Sequence, residues 1–431
     1  MEYIPLLVLI ISFVGLLAIG TPVAWSIAIS SMLTLLVSLP MLPAFATISQ
    51  RMATGLDSFA LLAIPFFILS GELMNHGGIA HRLIAFAKSL VGALPGGLAL
   101  INIISAMFMG AIAGSAMASA LAMGSILGPE MEKEGYDKGF SVSVNITSAT
   151  TGLVIPPSNV LIVYSLASGG ASIAALFLAG YIPGLITGLL LMVVAMFWAK
   201  KKGYGKGQRS SLKQVFKTFV DAVPSLFLLV LVIGGIVAGI FTATEASAIA
   251  VLYSMILGFV YKEIRFKKLP NIFLNASATT AVVMLLIAAS MSMSWALSFE
   301  HIPQDISSGL LSITDNKIAL LLIINIILLI VGIFMDITPA VLIFTPIFLP
   351  IVTKLGIDPV HFGIIMILNL CIGLCTPPVG SVLFVGVGVA KTSIEKVIRP
   401  LLPLFAAMIL ALFLITYIPE LALWLPGLFG L

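Results

Sequence analysis

Adding 221 to a position in this chain keeps returning the same residue. Thr21 meets Thr242, Ser26 meets Ser247, Pro129 meets Pro350, Lys133 meets Lys354, Gly135 meets Gly356, Asp137 meets Asp358, Gly152 meets Gly373, and Pro156-Pro157 meets Pro377-Pro378. Agreement among leucines would mean little in so apolar a chain, but agreement of Pro, Lys, Gly and Asp at one offset means a great deal. The chain reads as two structural repeats, residues 1–199 and 222–431, joined by a basic linker at 200–221. Each repeat holds one apolar segment interrupted by a small-residue tip and another interrupted by Pro-Pro. Inside a membrane such breaks are tolerated only where the backbone is buried in protein or lines a cavity, and there free carbonyls and helix ends can hold ligands.

Composition says that a membrane is the right setting. The chain is 60% hydrophobic and 9% charged with a mean hydropathy of +1.21, whereas roughly a quarter of a soluble domain is charged. An all-α polytopic membrane protein is expected. The net charge of +4 does not suggest nucleic acid, because the basic residues fall in short clusters between apolar spans. Cys371 and Cys375 stand four apart on one helical stretch, so no disulfide framework or cysteine-rich metal site is expected. The first apolar run starts almost at Met1 without a basic leader, and reads as a retained span with no small subunit fused ahead of it.

With about 20 apolar residues needed per crossing, spans are expected at 3–20, 23–42 and 59–75, followed by an amphipathic surface helix at 79–94. A re-entrant hairpin at 97–129, a broken span at 139–170 and a span at 172–199 complete the first half. The second half repeats the order: 222–241, 244–261, 272–298, a hairpin at 318–351, a broken span at 361–390, and 401–417. Five spans plus one hairpin make an odd number of crossings, so the second repeat must be inverted. Placing the linker in the cytoplasm puts 18 of the 21 Lys and Arg residues inside, with Arg51, Lys317 and Lys354 outside and both termini outside. Two hairpins dipping from opposite faces would then bring their tips together near the midplane.

The tips and breaks supply the candidate chemistry. In the first half, Gly114, Ser115 and the stretch from Asn145 to Pro156 and Ser158 offer hydroxyls, an amide and free carbonyls but no charge, a donor set that suits an alkali cation such as sodium. The competing reading is that small residues merely permit close helix packing, and for Gly110 packing is the better account. In the second half the tip carries Gly332, Asp336 and Thr338, and the break carries Asn369, Thr376, Pro377 and Gly380. Asp336 stands where the first repeat has Ser115, and an intramembrane carboxylate marks an ion or proton site unless it only caps the helix starting at Thr338. Glu72 and Glu245, near span ends, read as interfacial. The four histidines have no ligand spacing, so no metal other than sodium is expected.

Enzymatic motifs do not assemble. Gly386-Val-Gly388-Val-Ala390-Lys391-Thr392 has the wrong spacing for a phosphate loop, and Gly203-Tyr-Gly-Lys206-Gly lacks the Ser or Thr, so neither ATP hydrolysis nor an organic cofactor is expected. No Ser/His/Asp set is apparent.

At these residues the chain resembles the large membrane subunit (M, or DctM type) of tripartite ATP-independent periplasmic (TRAP) transporters. The carrying motifs include Gly110-x-x-x-Gly114-Ser115-Ala116, Ile155-Pro156-Pro157-Ser158, Gly239-Ile-Phe-Thr242-x-Thr244-Glu245-Ala246, Gly332-x-x-x-Asp336, Gly356-Ile-Asp358-Pro359-x-His361-Phe362-Gly363 and Thr376-Pro377-Pro378-Val379-Gly380, and they span nearly the whole chain. Ala243 and Leu153 depart from prolines common in the family. The resemblance implies a sodium-driven importer of small organic acids, of sialic acid or C4-dicarboxylate type, in the bacterial inner membrane. It also implies a soluble periplasmic binding protein (P type), a small four-span membrane partner (Q type), and an elevator motion of hairpins and broken helices past a scaffold. Ala116, Pro157, Pro378 and Val379 are then expected to face substrate. A self-contained sodium- or proton-coupled organic anion carrier of the same fold is the alternative.

Overall fold

The repeated Pro-x-x-x-Lys-x-Gly-x-Asp motif is a helix stop followed by a helix start. In the computed structural model, which describes residues 4–205, 210–314 and 316–431, Lys133 and Lys354 lie in the last turns of their helices, where a cation complements the helix dipole. Gly135 (φ +79°) and Gly356 (φ +72°) then take the left-handed turn that a side chain resists. Asp137 accepts from the Phe140 amide at 3.0 Å, and Asp358 from the Val360 amide at 2.7 Å, capping the helices that follow. Residues 1–3, the last of which opens the expected first span, and 206–209 of the linker, which include Lys206 and Arg209, lie outside the described residues.

The first half runs α1 (Ile4–Ala18), α2 (Val23–Ser38), α3 (Met41–Gly55), a 3-10 turn (Phe59–Leu62) leading into α4 (Ala63–His76), α5 (Ile79–Val91), hairpin arms α6 (Gly97–Ala113) and α7 (Ala116–Lys133), broken-helix halves α8 (Lys138–Thr151) and α9 (Asn159–Ala167), and α10 (Ile173–Lys202). The second runs α11 (Leu212–Val237), α12 (Ala243–Val260), α13 (Leu269–Phe299), α14 (Ile302–Ile313), hairpin arms α15 (Lys317–Phe334) and α16 (Ile337–Lys354), halves α17 (Pro359–Gly373) and α18 (Ser381–Ala390), α19 (Ile394–Tyr417) and α20 (Glu420–Leu428). Among the described residues eight helices are long and apolar enough to cross a membrane. The expected hairpins and breaks are all present. Three elements were not anticipated: α3, the amphipathic α14, and α20.

Contacts establish the inversion. The turn after α7 meets the linker, with Tyr136 and Tyr204 rings stacked at 4.4 Å and the Asp137 amide donating to the Tyr204 hydroxyl at 3.2 Å. The same end gathers Ser89 and Thr218 (2.8 Å), the Arg82 guanidinium 3.5 Å from the Tyr261 ring centre, and Gly139 against the Lys396 carbonyl. The turn after α16 lies at the other end of α10, where the Tyr164 hydroxyl donates to the Pro359 carbonyl at 2.6 Å and the Tyr417 hydroxyl to the Ile318 carbonyl at 3.2 Å. Each hairpin therefore enters and leaves at one end, and the two hairpins use opposite ends.

The helices pack as two groups. One contains α1–α4 with α11–α13; the other contains α6–α10 with α15–α20. The groups meet directly where α13 packs on α16 and α4 on α6 and α9, and the amphipathic α5 and α14, in equivalent places in the two copies, bridge them further: α5 packs on α11 and α6, and α14 on α13 and α16. At the centre of the second group α8 and α17 are almost wholly buried. α8 tolerates this despite its hydroxyls because Ser143, Thr147, Ser148 and Thr151 each donate to the carbonyl four residues back, at 2.6–2.8 Å.

Candidate functional site

Each hairpin is held by a glycine pair. Gly110 of α6 lies against Gly152 at the first break, and Gly332 of α15 against Gly373 at the second; a Cβ on Gly110 would fall 2.7 Å from the Gly152 Cα, and one on Gly332 3.0 Å from the Gly373 Cα. Only glycine permits backbones this close, which confirms Gly110 as a packing residue. α10 seats the first break further with a stripe of glycines. A Cβ on Gly180 would strike the Val154 carbonyl, one on Gly184 the Ile155 side chain, and one on Gly188 the Met107 thioether. The equivalent positions of α19 are Leu401, Phe405 and Ile409. The second break is accordingly less covered: Pro156, Pro157 and Ser158 are buried, whereas Pro378 and Val379 are exposed and Pro377 half-buried.

The two tips share one cavity of about 330 Å³. Gly114, Ser115 and Ala116 of the first tip line it together with Asp336 and Thr338 of the second. Ser115 caps α7, its hydroxyl accepting from the Ala118 amide at 3.2 Å. Asp336 occupies the same capping position on α16, which begins at Ile337, yet its side chain makes no capping bond. Among the described residues no basic side chain pairs with it; the ion pairs are His76–Glu72 (3.7 Å) and Lys138–Glu132 (3.3 Å).

The opposite wall comes from the other helix group, through Glu72 and Asn75 of α4 and Thr279 of α13. Glu72, read from the sequence as interfacial, is thus also a cavity residue. Asn75 Oδ1 is buried without a partner, as is Oδ1 of Asn159, a cavity-lining residue that the sequence reading passed over although it directly follows Ser158.

The remaining expected residues are distributed as follows. Ser158 Oγ is buried and unpartnered at the first break, next to Pro156 and Pro157. Asn369 donates to the Asn325 carbonyl (2.9 Å) and side-chain oxygen (2.7 Å), which ties α17 to α15, and leaves its own Oδ1 unpartnered. The Thr376 hydroxyl donates to the Ile372 carbonyl at 2.8 Å, and Gly380 caps α18. Asn145 is not brought to the tips: its Nδ2 donates to the Ala120 carbonyl at 2.7 Å, and it lines a separate cavity with no residue in common with the first. His361 is buried, with Nε2 2.7 Å from the Ile415 carbonyl.

The family profile described as "Tripartite ATP-independent periplasmic transporter, DctM component" matches residues 10–421. The chain is 56% identical to the uncharacterized protein YgiK of Salmonella typhimurium, covering 100% of this chain and 99% of that one. It is 42% identical to the isethionate TRAP transporter permease protein DctMQ of Oleidesulfovibrio alaskensis, over 99% of this chain and 67% of that one. With the sialic acid TRAP transporter large permease protein SiaM of Vibrio cholerae identity is 38%, over 97% and 98%. Among solved structures, the Alcanivorax borkumensis YdaH transporter, whose topology is described as unusual, superposes with a TM-score of 0.64 at 13% identity, over 86% of this chain and 87% of that one.

Proposed function

We propose, from the premise that this chain belongs to the DctM family of TRAP transporter large permease subunits, that it carries small organic acids inward across the bacterial inner membrane at the expense of a sodium gradient. Substrate is handed over by a soluble periplasmic binding protein, and a small four-span membrane subunit completes the assembly. Both termini lie on the periplasmic side. The substrate is an organic acid of the kind named for the relatives, with sialic acid and C4-dicarboxylates as first candidates.

The observation that carries this reading is the charge of the shared cavity. Its ionisable lining residues are Glu72 and Asp336, with no Lys or Arg among them. An organic anion entering such a space meets carboxylates only, so it enters favourably when cations accompany it. Hard oxygen donors suit sodium. One ion would be held by Gly114, Ser115, Ser158 and carbonyls near Pro156, and a second by Asp336, Thr338, Asn369, Thr376 and carbonyls near Gly332, Pro377 and Gly380. The unpartnered buried oxygens of Ser158 and Asn369 support this assignment. Asn145, in a different cavity, is left out of it. The two-group packing supports an elevator motion, in which α6–α10 with α15–α20 slide past α1–α4 with α11–α13 while α5 and α14 act as connecting arms.

The test is uptake into proteoliposomes under an inward sodium gradient, with the small subunit and a panel of periplasmic binding proteins. Uptake that needs both sodium and one binding protein is expected. Equal uptake without any binding protein would favour a self-contained carrier, and sodium independence would remove the proposed coupling.

A further inference from the structure

The second cavity, of about 370 Å³, lies at the linker end of the molecule, walled by α7 and α8 of the first copy and α18 of the second, with α6 contributing Asn102. Two side-chain amides are part of its polar lining. Asn102 and Asn145 are 1% and 3% exposed, and the Oδ1 atoms of both lack a hydrogen-bond partner. The Asn145 amide is oriented by its Nδ2 bond to Ala120, and Asn102 Nδ2 rests 3.9 Å from the Met131 sulfur, so in each the oxygen is the free end. Two buried acceptors in one cavity call for a donor. Its charged groups are Glu132, Lys138 and Lys391. Glu132 is engaged by Lys138 at 3.3 Å, and Lys391, exposed where α18 ends in a left-handed turn, makes no ion pair among the described residues. The cavity thus combines two buried acceptors in its wall with a net positive charge over Glu132, Lys138 and Lys391.

We propose that this cavity binds a small anion carrying a hydroxyl or ammonium donor a few ångströms from its acidic group. The acidic group pairs with Lys138 and Lys391, and the donor reaches Asn102 Oδ1 and Asn145 Oδ1. A ligand seated there bridges α7 and α8 to α18, the two copies of the repeat, at a point remote from the hairpin tips. The same chemistry occurs in a free hydroxy acid and in the headgroup of an ethanolamine phospholipid. The site stands on its own geometry and holds whether or not the transport reading does.

The experiment is thermal unfolding of the purified, delipidated full chain in detergent, since a ligand that binds only the folded state raises the melting temperature by mass action. One arm titrates isethionate against ethanesulfonate, which has the same anion without the hydroxyl. The other titrates phosphatidylethanolamine against phosphatidylcholine, which has no ammonium donor. Stabilisation by the donor-bearing member of either pair, and not by its counterpart, is expected, and the arm that responds identifies the source. Lys391→Gln, at an exposed position, should weaken the apparent affinity at least tenfold, and Asn102→Leu should do the same. Gly234→Ala, on α11 with nothing within 4 Å, should leave the shift in place. No stabilisation in either arm, equal stabilisation by the donor-free compounds, or an unchanged affinity in Lys391→Gln would overturn the proposal.

Discussion

Gly110 in the first hairpin and Gly152 at the first helix break meet backbone to backbone, so that a Cβ on either would lie 2.7 Å from the Cα of the other. The inverted copy repeats the contact at Gly332 and Gly373. Two hairpins entering from opposite ends are thereby clamped to two interrupted helices, and their tips are delivered to one cavity. Alanine at Gly152 must push the helices apart, an overpacking cost of about 1–3 kcal/mol. Gly152→Ala is expected to lower the melting temperature and reduce transport, while Gly234→Ala, at a helical site with nothing within 4 Å, leaves both unchanged. Thermal unfolding of the two variants side by side checks this.

The opposite placement of the two repeated turns predicts their accessibility in a membrane. Cys371 and Cys375 are fully buried, so the wild-type chain should resist a membrane-impermeant thiol reagent. Glu134→Cys and Lys354→Cys, both at exposed positions, should be labelled from opposite faces of oriented vesicles, with Glu134→Cys on the cytoplasmic side. Labelling of both from one face contradicts the inverted arrangement.

Ser115 carries two roles that substitution can separate. Its hydroxyl caps α7, a contribution of about 1 kcal/mol, and it faces the shared cavity. Ser115→Ala should lower stability slightly and raise the sodium concentration for half-maximal uptake several-fold, whereas Ser115→Thr, which keeps the oxygen, should stay near wild type. A stability loss with unaltered sodium dependence would reduce Ser115 to a helix cap.

The inverted architecture was legible in the sequence because its markers are turn residues, and Pro, Gly and Asp at a fixed offset report backbone geometry directly. The tip residues Ser115 and Asp336 were found for the same reason. Which helices face one another was less accessible. Glu72 was read as interfacial from its place near a span end, and that it also lines the cavity of the hairpin tips depends on helix packing that the sequence does not display. Asn145 was grouped with the nearby break by sequence proximity, but it lies nearly two helical turns before Gly152 and opens onto a different space. The unequal cover of the two breaks was hidden by the likeness of their Pro-Pro motifs. It depends on Gly180, Gly184 and Gly188 of α10, whose counterparts in α19 are bulky.

Asp336 is the point on which the account turns, because an intramembrane carboxylate without a basic partner takes up either a metal cation or a proton, and the proposed function assigns it sodium. The direct measurement is the melting temperature of the purified chain in sodium chloride against choline chloride at equal ionic strength, for wild type and Asp336→Asn. The wild type is predicted to be stabilised by sodium, by about 2.7 kcal/mol when sodium reaches a hundred times its dissociation constant, and the Asn variant to lose most of that gain. Equal sodium-dependent stabilisation in both proteins, or none in the wild type, would contradict a cation site at the second hairpin tip.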